Sequence, residues 1–163
     1  MQAVFSVVAI VAATLIAWWQ RHSDRSDRLR SEHAIALVAG AAVETMLPAV
    51  VGVVTAIQNG IPSITHENVR GRVQRYLHLS EAVHVPNEQQ LLQLQPMLPK
   101  TAGALAVACT IYRNMVMSLA LINARQDAPP MQMTTQVKTL LSTCEDVRLR
   151  FLEAEANLHA FMR

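Results

Sequence analysis

The chain has 163 residues, of which 52% are hydrophobic and 16% are charged, and its formal net charge is +2. This length suits one membrane span plus one compact domain, and the balanced charge argues against nucleic-acid binding by bulk electrostatic attraction. Two cysteines are present, Cys109 and Cys144. In a reducing cytoplasm we expect both to be thiols packed as small hydrophobic side chains, whereas a bridge between them would require the inverted topology.

Residues 3–19 form an apolar run without a charge, a proline or a glycine. As a helix this run covers about 26 Å, the short end of what a bilayer core needs. Trp18 and Trp19 close the run, where an aromatic belt would lie. We predict a transmembrane anchor over residues 1–21 and a basic juxtamembrane segment over residues 22–30 that meets the headgroups of the lipid bilayer. The residues expected at the membrane interface are Trp18, Trp19, Arg21, Arg25, Arg28 and Arg30.

A cleaved secretory signal is the alternative to an anchor. Such a signal begins with a basic region and ends in a small-residue cleavage site. Here only Met1 and Gln2 precede the run, and it ends on two tryptophans, so an anchor is favoured. The nearby arginines all follow the span, and the positive-inside rule therefore predicts an N-terminus outside and a cytoplasmic domain over residues 31–163. We expect a single-pass protein of the bacterial inner membrane.

Residues 31–58, rich in alanine, leucine and valine, predict a long helix in which Pro48 causes a kink or a local break. A second transmembrane span over residues 34–55 is the alternative. Its strongly apolar side chains favour insertion by about 4 kcal/mol, but Glu44 near the centre costs about 3 kcal/mol. Because Pro48 and two glycines detract further, a buried helix of a bundle is preferred.

Residues 65–79 predict a short helix whose first residue, a threonine, caps it. Arg70, Arg72 and Arg75 give this helix a basic face that would suit headgroups, phosphate or RNA. No aromatic platform beyond Tyr76 and no glycine loop accompanies these arginines, as single-stranded nucleic acid would need. A solvated face is preferred, and no nucleic-acid partner is expected.

Two further helix starts follow in the sequence, the first marked by an asparagine and the second by a proline. Asn87, with Gln90 three residues later, resembles a capping box ahead of a turn over residues 88–94. Pro99 suits the first turn of a helix that runs to about Arg125. The apolar stripe of that helix comprises Leu105, Cys109, Tyr112, Val116 and Leu119.

The last helix, predicted over residues 130–161, has the clearest periodicity in the chain. Its apolar residues recur at alternating spacings of three and four, which is typical of a helix that packs lengthwise against other helices. We expect this stripe to pack within the domain, and we consider it a candidate for pairing with a partner helix or a second copy of the chain. The stripe comprises Val137, Leu140, Cys144, Val147, Phe151, Ala154, Leu158 and Phe161.

These elements predict an all-α protein, with an N-terminal transmembrane helix followed by an antiparallel helical bundle. Glu44 and Arg113 are the two charges set in otherwise apolar helices. If those helices face each other, the two side chains form a buried ion pair, since burying both charges together costs less free energy than burying one alone. The alternative is that Glu44 is a proton or ion site in lipid.

No motif for catalysis or cofactor binding is found in the sequence. The six histidines are scattered, and none has the spacing of a zinc site. Phosphate-binding, dinucleotide-binding and nucleophile motifs are absent as well. We therefore expect no catalytic residue, no metal, no cofactor and no identifiable small-molecule substrate, and predict that the protein is not an enzyme.

Four features occur together along the chain. Trp18-Trp19-Gln20-Arg21 ends the span, an alanine–leucine helix begins at Ser31, and Leu98-Pro99 precedes a helix that contains Tyr112. This arrangement resembles a group of small bacterial single-pass membrane-anchored helical proteins of unknown function. The resemblance covers most of the chain and implies no activity.

The sequence therefore favours an interaction protein: a helical bundle held at the membrane as scaffold, accessory subunit or regulator, with a protein partner or a second copy. The alternative is a multi-span component of a transport or pore-forming assembly, with residues 34–55 in the membrane. A membrane-tethered nucleic-acid binder acting through residues 70–75 is a third hypothesis.

Overall fold

The computed structural model describes the backbone of residues 2–125 and 127–163 and the side chains of residues 18–21, 23–125 and 127–163. This part of the chain forms helices and loops and contains no strand, which confirms the predicted all-α class. The helices are α1 (Gln2–Gly60), α2 (Val69–Glu81), α3 (Glu88–Leu94), α4 (Pro99–Ala124) and α5 (Pro130–Met162), and the 3-10 turn Ile61–Ser63 follows α1.

α1 is one helix of 59 residues, which corresponds to about 88 Å at 1.5 Å per residue. The predicted boundaries at residues 21 and 30 fall inside it, and the helix passes both without interruption. Arginine, leucine and glutamate in this stretch are good helix formers, and the pairs Arg28–Glu32 and Asp27–Arg30 link successive turns. The apolar N-terminal run is therefore joined to the rest of the fold by helix rather than by a flexible linker.

Pro48 lies inside α1, and the helix continues past it. The proline is exposed, so the carbonyl that loses its helical N–H partner faces solvent, where water can satisfy it. The helix assignment is thus continuous through Pro48, and the hydrogen bond that the proline cannot donate is lost on the outer face of α1.

α5 packs along α1 and runs antiparallel to it. Near the C-terminal end of α5, His159 Nδ1 lies 3.0 Å from a carboxylate oxygen of Glu44. Near its N-terminal end, Thr134 Oγ1 lies 3.2 Å from Nδ1 of His66, a residue that follows α1. The two contacts bracket most of the length of α5.

α4 packs along the other side of α5, also antiparallel. The ring of Tyr112 meets that of Phe151 edge-on, with centroids 6.4 Å apart, and one turn further along α4 Met115 Sδ lies 3.4 Å from Cys144 Sγ. Within the described part of the chain, the backbones of α1 and α4 do not approach each other closely. α5 is thus the central helix of the three long ones.

The short helices cover the remaining side, with α3 on α1 and α4, and α2 mainly on α4. The predicted capping box of α3 is confirmed: Asn87 Oδ1 accepts from the Gln90 amide at 2.9 Å, and Gln90 Oε1 accepts from the Asn87 amide at 3.0 Å. α2 begins at Val69 and not at the predicted Thr65. The Thr65 amide donates to Asn68 Oδ1 at 2.9 Å, which holds this segment in a turn.

One apolar core joins the described helices, and the α5 stripe faces it. Six of the eight stripe residues are buried, whereas Leu140 and Phe161 are half-buried. On α4, Met115 is buried in place of the predicted Val116, which is half-buried. The buried stripe residues are Val137, Cys144, Val147, Phe151, Ala154 and Leu158.

Candidate functional site

The described N-terminal part of α1 lies outside the packed core. Over residues 18–35, every described side chain is exposed or half-exposed, and Trp18 and Trp19 are 64% and 69% exposed. α5 reaches α1 near His33, whose ring meets that of Phe161 edge-on at a centroid distance of 5.5 Å. About 21 Å of helix therefore separates Trp19 from the point where packing begins. We call residues 18–30 the Trp-Arg segment.

The four arginines of the Trp-Arg segment fall into two groups. Arg28 and Arg30, the two farther from the tryptophans, lie 3.0 Å and 3.8 Å from carboxylates within one turn of helix. Arg21 and Arg25 make no ion pair or hydrogen bond with any side chain that the structure describes. The sequence placed all four arginines at the interface alike. In the structure the outer two arginines each have a carboxylate within one turn, although both remain more than 80% exposed, whereas the inner two have no such partner among the described side chains.

The predicted ion pair between Glu44 and Arg113 is wrong. Their helices, α1 and α4, lie on different sides of α5. Glu44 is half-exposed and lies 3.0 Å from His159 Nδ1, while Arg113 is exposed and donates to the backbone carbonyl of Pro86 at 3.4 Å. Neither charge is buried, so neither carries the desolvation cost that the pair was expected to offset.

Sequence reasoning missed His159 as the partner of Glu44. The two residues are 115 positions apart, and no local pattern connects them. The guanidinium of Arg163 also donates to His159 Nε2 at 2.9 Å, so the imidazole lies between a carboxylate and a cation. This cluster is at the surface and links the end of α5 to the middle of α1.

The α5 stripe predicted as a partner surface is not available to a partner. Its central residues are completely buried, because α1 covers one flank of α5 and α4 covers the other. The periodicity reflects packing within the chain. Exposed apolar side chains lie on several helices, among them three on the outward face of α4, where Val107, Met117 and Leu121 are 46%, 65% and 58% exposed. The sequence shows these three only as apolar positions outside the α4 stripe.

Two observations on the described side chains concern metal binding and thiol chemistry. No group of three or more histidine, cysteine, aspartate or glutamate side chains in this part of the chain could hold a metal ion. The two cysteines are free thiols, as predicted, and burial raises the pKa of both Cys109 and Cys144 to about 11. Since the thiolate is the nucleophile, both groups are unreactive at neutral pH.

The basic face of α2 is solvent-exposed in part and tied to a neighbouring loop. Arg70 donates to the backbone carbonyl of Ala128 at 3.4 Å. Arg75 and His78 line a shallow polar depression of about 460 Å³ that also includes Glu81. The carboxylate in this depression reduces its attraction for a phosphate, which agrees with the preference for a solvated face.

Tyr76 of α2 is buried against the C-terminal end of α1. Its hydroxyl has no hydrogen-bond partner among the described residues, and burial raises the pKa of Tyr76 although Arg72 and Arg75 act in the opposite direction. A methyl group on Gly60 would overlap the Tyr76 hydroxyl. The glycine is therefore needed for space rather than for an unusual backbone angle, since no glycine in the described chain has positive φ.

Two described stretches are long and apolar enough to cross a membrane. Trp18–Ser63 contains a window of mean hydropathy 2.0, and Pro99–Ala124 contains one of 1.6. About a third of the first window and two-fifths of the second are buried inside the fold, and core helices of soluble proteins meet the same criterion. The predicted anchor over residues 1–21 lies, except for residues 18–21, outside the side chains that the structure describes.

Comparison with protein-family models, with curated proteins and with solved structures finds no match for this chain.

Proposed function

We propose that this chain is a membrane-anchored helical interaction protein without enzymatic activity. In this proposal residues 3–19 cross the bacterial inner membrane with the N-terminus outside. The packed helices form an antiparallel bundle on the cytoplasmic side, where they act as scaffold, accessory subunit or regulator of a membrane-associated complex.

The exposed Trp-Arg segment is the observation that carries this proposal. Trp18 and Trp19 are more than 60% exposed although burying an aromatic side chain is worth about 1.5–3 kcal/mol. At a bilayer interface the indole rings gain that burial, and the arginines that follow them remain in water or among headgroups. The apolar run on one side of the tryptophans and the charged turns on the other agree with this placement.

The continuity of α1 gives the anchor a mechanical consequence. A helix of about 21 Å connects Trp19 to the first packed residues near His33. A helical connector of this length holds the bundle at a set distance from the bilayer, whereas a flexible linker of the same length would not. A partner bound to the bundle would be positioned about 20 Å or more from the level of the two tryptophans.

The outward face of α4 supports an interaction role. Val107, Met117 and Leu121 expose apolar side chains there, and methionine adapts its shape to different partner surfaces. This surface replaces the buried α5 stripe as the candidate for protein contacts.

Alkaline carbonate extraction of membranes tests the anchor. The full chain should stay in the membrane pellet, and a chain lacking residues 1–21 should move to the soluble fraction. Protection of Cys109 and Cys144 from a thiol reagent would show that the shortened chain still folds, because both thiols are buried. A folded shortened chain that resists carbonate would contradict the proposal.

A second candidate function follows from the outer surface of α1. Between Ala34 and Thr55, the positions opposite the core carry no charged side chain, and the surrounding stretch meets the hydropathy criterion for a span. In this alternative residues 34–55 lie in lipid, and the protein is a multi-span component of a transport or pore-forming assembly. Reporter fusions at Gly60 and Arg163 separate the two: both report cytoplasm in the first proposal, and the Gly60 fusion reports the opposite side in the second.

A further inference from the structure

We infer that Arg21 and Arg25 form a phospholipid-binding site that takes the phosphate of an anionic headgroup; the inference rests on the proposed membrane anchor. Both guanidinium groups are exposed and unpaired with respect to the described side chains. The other two arginines of the Trp-Arg segment already have carboxylate partners. Headgroup recognition is therefore assigned to two of the four arginines.

The spacing of the two arginines suits a single phosphate. Residues four apart lie on the same side of a helix, with Cβ atoms about 5–6 Å apart. Two like charges at this spacing repel each other, and an anion placed between them removes that repulsion. Arginine also presents a planar fork of donors that matches phosphate geometry, so one phosphate can accept hydrogen bonds from both side chains.

The height of the arginines along α1 agrees with the assignment. Measured along the helix axis from Trp19, Arg21 lies about 3 Å and Arg25 about 9 Å farther out, whereas Arg28 and Arg30 lie about 14 and 17 Å out. The headgroup layer is about 5–7 Å thick on each side of the bilayer, and the Debye length in physiological salt is about 8 Å. The first two arginines are thus within reach of the headgroups, and the last two are beyond direct contact.

The positions of the neighbouring carboxylates also favour the inner arginines as the lipid-binding pair. Asp27 and Glu32 pair with the outer arginines. Asp24 lies between the inner arginines in the sequence but makes no ion pair with either. The positive charge that is not neutralised therefore lies in the turns nearest the tryptophans.

Both tryptophans of the chain, Trp18 and Trp19, lie beside this site, so their fluorescence reports on adjacent lipid. The full chain is reconstituted in nanodiscs of phosphatidylcholine and phosphatidylglycerol, with bromine on the acyl chains of one lipid at a time. Quenching by brominated phosphatidylglycerol, relative to phosphatidylcholine, measures the local enrichment of the anionic lipid. An attraction of about 1 kcal/mol per arginine corresponds to roughly fivefold enrichment per arginine. We expect the enrichment to disappear in about 1 M salt, where the Debye length falls to about 3 Å.

The double variant R21Q/R25Q should lose the enrichment, and the matched double variant R28Q/R30Q, which removes the same charge, should keep most of it. Equal loss in both variants, or full enrichment in R21Q/R25Q, would overturn the inference. In either of those cases the tryptophans are still quenched by brominated lipid, and the anchor is retained. If neither brominated lipid quenches the tryptophans of the unaltered chain, the proposed membrane anchor is contradicted, and the phospholipid site that rests on it is contradicted as well.

Discussion

The outer half (residues 18–35) and the inner half (residues 36–60) of the described part of α1 belong to one helix but have different surroundings. In the outer half, residues 18–35, no described side chain is buried. In the inner half, Val43, Leu47, Val50 and Val54 are completely buried against the other helices. Backbone geometry is continuous across the two, so the difference arises from side-chain pattern and not from secondary structure.

The comparison shows that hydropathy alone does not distinguish a core helix from a membrane span. The inner half is apolar enough to pass as a membrane span, yet its buried residues recur every three or four positions and face the rest of the fold. Residues 3–19 lack any polar face in the sequence. Periodicity thus indicates that the inner half packs against protein, whereas the sequence of residues 3–19 carries no such pattern.

The largest expected effect comes from matched leucine truncations in the two halves. Leu47 is completely buried and Leu29 is 51% exposed. L47A should lower the free energy of unfolding by about 2–5 kcal/mol, because it removes buried methyl groups and leaves a cavity. L29A should change it by less than about 0.5 kcal/mol.

The protection of Cys109 and Cys144 from a thiol reagent in urea is a suitable measurement, since both thiols lie in the core and residues 1–60 contain no cysteine. Similar losses in L47A and L29A, with the full chain in mild detergent, would show that the outer half is packed as well.

A smaller effect is expected at the end of the inner half. G60A places a methyl group against the Tyr76 hydroxyl, and Tyr76 is only 2% exposed, so the ring has little room to move. We expect a loss of about 1–3 kcal/mol from overpacking, partly offset by the better helix propensity of alanine. Urea unfolding followed by thiol protection again measures the change.

The control for G60A is removal of the hydroxyl. Y76F eliminates a buried hydroxyl that has no partner in the described chain, and it should therefore be neutral or stabilising. G60A should cost much less in the Y76F background than in the original chain. Equal costs in the two backgrounds would contradict the close approach of Gly60 and Tyr76.

Gly52 gives the opposite expectation within the same helix. A methyl group there would meet no atom within 4 Å, and Gly52 is exposed in the interior of α1. G52A should raise the free energy of unfolding by about 0.5–1 kcal/mol, because glycine loses more backbone entropy than alanine in a helix. A destabilised G52A chain would indicate that another surface covers this face of α1.

Local patterns predicted most of the fold. The capping box at Asn87, the proline at the start of α4 and the stripe of α5 each depend on residues within a few turns, and the helices they predict are present. The predictions that failed depend on residues far apart in the sequence. The Glu44–Arg113 pair required α1 beside α4, but the fold places α5 between them. Likewise, periodicity shows that the α5 stripe packs against helices and does not show that those helices belong to the same chain.

The smallest effect is expected for E44Q. The Glu44–His159 pair is partly exposed, with side chains 27% and 55% accessible, and such pairs contribute about 0–1 kcal/mol. E44Q and H159Q should each lower the free energy of unfolding by less than about 1 kcal/mol, and the double variant should show a coupling of similar size. An apolar replacement at the same position bears on the location of α1: if residues 34–55 were in lipid, E44L would remove a penalty of about 3 kcal/mol against insertion and would strengthen membrane retention of a chain lacking residues 1–21. In the anchored-bundle proposal that shortened E44L chain stays soluble, so fractionation of this variant distinguishes a surface carboxylate from one in the membrane.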